Sequence, residues 1–241
     1  MSTLFWRRMR SIDRRWIFLA MALAVMFPII RPIGMPIRVT KEVNSLFQEM
    51  DRLAPRDIVV LAFDYGPSTA PELTPMAKAV LLHAKEKRLR VVSLSLSADA
   101  PGLVSGLLPW VTASPQEGGL GMVDGVDYTY LGYKSGTSAV ILQMGQGIGK
   151  AFPKDYSGRD ITDLTVMEGM EKLTDASLII ALEASAVMDT WIQYAGDQMD
   201  IPVGGGVTAV SAPEYYVFLQ TNQMVGLLGG MKGAAEYETL L

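Results

Sequence analysis

Two hydropathy patterns divide the chain. From Trp16 to Ile30 every side chain is uncharged and apolar, with no polar stripe at any helical angle. A helix that is apolar all round needs a non-aqueous surrounding, so this run reads as a membrane segment and not as an amphipathic surface helix. Its fifteen residues fall short of the ~20 that cross ~30 Å of hydrocarbon. Ile33 to Ile37 lengthen it if Arg31 snorkels to the far interface.

Beyond Val39 the apolar residues become periodic. Val39, Val43, Leu46, Phe47, Met50 and Leu53 keep helical spacing and stop before Pro55, which predicts a stalk or first helix. "DIVVLAF" (57–63) is a continuous apolar run bounded by turn residues, as in a strand buried on both faces of a parallel sheet. A helix from Glu72 to about Lys87 and the strand "LRVVSLSL" (89–96) complete a βαβ unit. The alternation continues through strands predicted at 126–133, 177–183 and 201–210, with helical segments at 137–152, over "AVMDTWIQYAGDQ" and over "PEYYVFLQ". The fold class expected is therefore α/β, with a Rossmann-like or flavodoxin-like, mostly parallel sheet preceded by an N-terminal transmembrane helix. Residues 1–38 form a cytoplasmic basic tail and signal anchor, and residues 39–241 an extracytoplasmic α/β domain.

"TAPE" (69–72) and "SAPE" (211–214) each follow a strand and open a helix, with the hydroxyl-x-x-Glu spacing of a capping box. They mark helix starts.

Charge sharpens the division. The formal charge of −4 combines seven Lys/Arg and one Asp in residues 1–40 with fourteen Lys/Arg and twenty-four acids after them. Arg7, Arg8, Arg10, Arg14 and Arg15 precede the apolar run, and no small-x-small cleavage site follows it. By the positive-inside rule the protein is expected to be an uncleaved, single-pass membrane protein with a cytoplasmic N-terminus and a periplasmic or extracellular body. The acidic body excludes general nucleic-acid binding, because phosphate neutralisation requires a basic face. "KEKRLR" (85–90) reads as the solvated last turn of a helix.

The absence of cysteine removes disulfides, thiolate nucleophiles and Cys-type zinc sites, and a single histidine, His83, rules out a multi-histidine metal site within one chain. His83 is expected at a helix surface or boundary. "QMGQGIGKAF" (143–152) resembles a phosphate loop, but Met144 and Ala151 stand where the P-loop requires glycine and a hydroxyl. Lys150 occupies the third glycine position of a dinucleotide fingerprint, and Pro153 ends the helix too early. Val140, Met144, Ile148 and Phe152 share a helical face instead, so the stretch reads as helix packing. "DYSGRD" (155–160) lacks the calcium-loop spacing and reads as a polar turn. Neither a cofactor nor a metal is expected.

Ligands of open parallel sheets bind beyond the carboxyl ends of the strands. The candidate ligand-binding residues are accordingly Asp64, Tyr65, Lys134, Ser135, Glu183 and Ser211, with Lys134 expected between the carboxylates of Asp64 and Glu183. No catalytic residue is assigned, since no Gly-x-Ser-x-Gly, Ser-x-x-Lys or His-Glu-x-x-His pattern occurs. The function expected is a membrane-anchored binding or scaffold module that engages a partner protein or small ligand without catalysis. The alternative is a tethered hydrolase using Asp64, Lys134, Ser135 and Glu183. Expected partners are the lipid bilayer, through residues 16–37, and a membrane or extracytoplasmic protein, with self-association left open. The glycine-rich ending "NQMVGLLGGMKGAAEYETLL" is expected to dock on another chain or on the membrane surface.

Overall fold

The computed structural model describes residues 13–31 and 38–241, which belong to two units divided between Ile37 and Arg38. In the first unit, helix α1 (Arg14–Ile30) starts at Asp13, whose carboxylate accepts from the Arg15 amide at 3.0 Å. None of its residues is buried, and Pro28 lies inside its last turn. Seventeen residues make a helix ~25 Å long. Among the described residues no helix is long and apolar enough to cross a membrane. Arg7, Arg8, Arg10 and the extension through Ile37 lie outside the described residues.

The second unit is built on six strands: β1 (Ile58–Asp64), β2 (Arg90–Ser95), β3 (Tyr128–Tyr133), β4 (Leu178–Glu183), β5 (Val203–Val207) and β6 (Gly226–Gly229). Every pair is parallel and the order is β3-β2-β1-β4-β5-β6. That is the Rossmann order, in which the chain switches direction of travel between β1 and β4. The helices are α2 (Lys41–Asp51), α3 (Ala70–Glu86), α4 (Ala100–Thr112), α5 (Thr137–Gln146), α6 (Ile148–Ala151), α7 (Val187–Thr190), α8 (Ala212–Gln220) and α9 (Gly230–Glu238). A π-helical segment, Trp191–Asp197, continues α7.

Alternate strand residues feed two cores. Val59, Leu61 and Phe63 face α2, α3, α4 and α9, while Val60 and Ala62 face α5, α6, α7 and α8. This explains why the central strands β1 and β4 are continuous apolar runs without alternation. Val140, Met144, Ile148 and Phe152 are all buried, as the face of α5 and α6 requires, although Gly147 divides the predicted single helix into two. Helix α2 is packed on the sheet and is not a stalk. At Gly226 an added Cβ would lie 2.4 Å from the Leu46 amide nitrogen, so a glycine is needed for α2 to approach β6 this closely.

The ending forms a sixth strand and a helix packed on the domain by one face: Tyr237 of α9 is fully covered and bonds to His83 Nδ1 at 2.8 Å, while Met231 is exposed. Two expectations are corrected. His83 lies in the core, stacked on Phe47 with ring centroids 4.4 Å apart, because α9 closes over the face of α3 that sequence periodicity leaves at the boundary. "TAPE" and "SAPE" mark the starts of α3 and α8, but neither forms a capping box. Thr69 and Ser211 have helical backbone angles, which turn their hydroxyls away from the first-turn amides. Glu72 instead accepts from the Ala209 amide at 2.8 Å, tying α3 to the loop after β5.

Candidate functional site

The topological switch point brings two carboxylates together. Asp64 and Glu183 end β1 and β4, and they are register partners in the β1–β4 ladder. Both are buried. Asp64 Oδ1 accepts from the Leu96 amide at 2.5 Å and Oδ2 from the Trp191 indole N–H at 3.0 Å. Burial pushes its acid up to about 6, opposed by these donors and by the Ser97 amide.

Glu183 is satisfied on one side only. Its Oε1 accepts from the Ser185 amide and, at 3.2 Å, from the Val187 amide. Oε2 is buried without a partner. Burial pushes Glu183 up to about 7, with the Asp64 charge adding to the rise and the Ser185 amide opposing it. Asp64, with donors on both oxygens, is the more acidic of the two, and Glu183 holds a proton more tightly. An acidic floor disfavours the pyrophosphate that many sheets of this order hold at the same place.

The other candidates do not join this pair. Tyr65 is buried on the far side of β1's end, its hydroxyl 3.2 Å from Thr74 Oγ1 and its acidity pushed to about 12 by burial. Lys134 follows the edge strand β3, two strands away from β1, and its ammonium group donates to the Ala151 carbonyl. It also lies over the Phe152 ring, 5.8 Å from the centroid. Among the described residues it makes no ion pair with Asp64 or Glu183. The expected triad is thus a pair plus a separate lysine, because a shared sheet edge does not make β3 a neighbour of β1. Ser135 is exposed, and Ser211 accepts from the Thr208 hydroxyl at 3.2 Å.

A recess that sequence reasoning missed lies beside β3. It is a cavity of about 450 Å³ between α4 and the 155–159 turn, walled by Ser105, Tyr130, Tyr156, Asp124, Asp155 and Arg159. Arg159 organises it: its guanidinium bonds Asp124 at 2.8 Å and Asp155 at 2.7 Å, while its amide donates to Asp155 at 2.8 Å. The "DYSGRD" stretch is therefore a turn, as expected, but one built around a buried aspartate. Tyr156 is exposed at the rim, its ring 5.2 Å from that of Tyr130 and its amide bonded to the Tyr130 carbonyl. The signal available in the sequence was Arg159 four residues after Asp155.

No family model, curated protein or solved structure matches the chain.

Proposed function

We propose that the protein is a membrane-anchored, extracytoplasmic binding or scaffold module whose α/β domain engages a partner protein or small ligand without catalysis. One observation carries the reading. Helix α1 exposes apolar side chains all around its circumference, from Trp16 at 67% through Phe18, Leu23 and Phe27 to Ile30 at 69%. Such a surface is untenable in water and stable in hydrocarbon. The helix alone is short for the bilayer; Ile33, Met35 and Ile37 supply further apolar residues in sequence. The arginine-rich start orients the body away from the cytoplasm.

Binding is favoured over hydrolysis by how the strand-end groups are used. Asp64 is occupied by Leu96 and Trp191, and Lys134 by Ala151, so a hydrolase built on Asp64, Lys134, Ser135 and Glu183 would first have to break these bonds. The recess at Tyr156 offers a small ligand an aromatic wall and a fixed polar rim.

Full-length protein in detergent tests this. The expected result is no turnover of generic ester, phosphoester or glycoside substrates, and stabilisation by members of a metabolite panel that disappears in Tyr156→Ala. Turnover that is lost in Lys134→Ala contradicts the proposal.

A further inference from the structure

Nine large hydrophobic side chains of the described 38–241 unit are exposed, and four of them, Val210, Tyr216, Val217 and Met231, belong to the segments that follow β5 and β6. Val210 at 86% and Met231 at 61% are the two most exposed of the nine. The residues before them approach closely: a Cβ on Gly230 would lie 2.6 Å from Ala209 Cβ, so the segments that carry Val210 and Met231 run together at this point. The other five are spread over residues 123–156.

The chain enters the domain at the same place. Thr40 donates to Glu236 of α9 through its amide at 2.9 Å and its hydroxyl at 2.7 Å. Thr40, Ala209, Tyr216 and Lys232 line one small recess of about 230 Å³. Glu236 is buried, and besides Thr40 it is bonded to the Lys232 ammonium group, so the entry point is fixed on the helix that presents Met231. Six residues of sequence lie between Arg31 and Arg38, a length of chain that spans at most ~25 Å.

We infer that this face, carrying Val210, Tyr216 and Met231, rests on the surface of the lipid bilayer. The inference depends on the membrane anchoring proposed above. A short tether fixed beside an apolar patch holds that patch near the interface, where aliphatic and tyrosine side chains enter the headgroup and acyl boundary. The bilayer would thus be contacted twice, by α1 and by the ends of α8 and α9.

The chain has no cysteine, which permits single-site labelling of the full-length protein. Val210→Cys, Met231→Cys, Ala24→Cys and Glu168→Cys are each labelled with an environment-sensitive dye and reconstituted into phosphatidylcholine–phosphatidylglycerol vesicles containing lipids with quenchers on their acyl chains. Glu168 is exposed near the start of β2, at the amino ends of the strands, and serves as the reference. The expected result is strong quenching at 24 and quenching at 210 and 231 several-fold above that at 168. Quenching at 24 with none above reference at 210 and 231 overturns the docking face and leaves the anchor standing. Loss of quenching at all of these sites overturns both. A spectral shift at 210 and 231 that follows protein concentration and ignores lipid quenchers assigns the face to a second copy of the chain and overturns the inference.

Discussion

Asp64 and Glu183 sit side by side at the ends of β1 and β4, one carboxyl with donors on both oxygens and the other with a buried oxygen that has no partner. Two acids at one switch point cannot both ionise without cost, and the donors on Asp64 favour its ionisation over that of Glu183.

Stability follows from that arrangement. Burial raises both folded-state values, Asp64 to about 6 and Glu183 to about 7, above the ordinary 3.8 and 4.5. A raised value means that the folded state binds more protons, so the contribution is fully present below the ordinary carboxylate range and is lost as pH rises through the folded values. Unfolding free energy should fall by on the order of 3 kcal/mol from Glu183 as pH rises from about 4 to about 8. Glu183→Gln should flatten this slope and stabilise the protein at the alkaline end. Urea titrations across pH check it; an unchanged slope in the variant contradicts the raised value at Glu183.

His83 acts in the opposite direction. Burial holds its imidazole below the ordinary value, with the Asp51 carboxylate 3.7 Å away partly offsetting the effect. The folded state therefore binds fewer protons than the unfolded one just below the ordinary value of 6.5, and stability from this group is lost as pH falls through the folded value. Because there is one histidine, its ring resonances are unambiguous in a proton NMR titration. They should titrate below the ordinary value, and a midpoint above it would contradict the buried, neutral ring.

Arg159 holds the turn at the β3 recess. Arg159→Ala leaves Asp155 buried without its guanidinium partner and should cost on the order of 2 kcal/mol in denaturant unfolding. The double variant with Asp155→Asn should lose less than the single one, since the stranded charge is gone. Equal losses would show that packing, and not the ion pair, holds the turn.

The buried strands were legible because continuous runs such as "DIVVLAF" and "SLIIALE" have few other uses in a globular chain. Their order was not, since pairing across the sheet leaves no local pattern; for that reason Lys134 was expected near Asp64 when β2 lies between their strands. "GLLG" escaped notice as a strand because its four residues include two glycines and carry no β-branched side chain. The burial of His83 is invisible to local periodicity for a related reason: Tyr237, which covers it, is 154 residues away. Asp64 and Glu183 were identifiable from their place after strands, whereas the missing partner of Glu183 depends on atoms that no spacing reveals.

Helix α1 is proposed to hold this domain to a membrane. Extraction of membranes containing the full-length protein with alkaline carbonate tests it most directly, with Leu23→Arg as the companion variant, because a charge at that position opposes insertion. The parent should stay in the membrane pellet and Leu23→Arg should move toward the supernatant. Recovery of the parent in the supernatant would show that α1 does not anchor the domain.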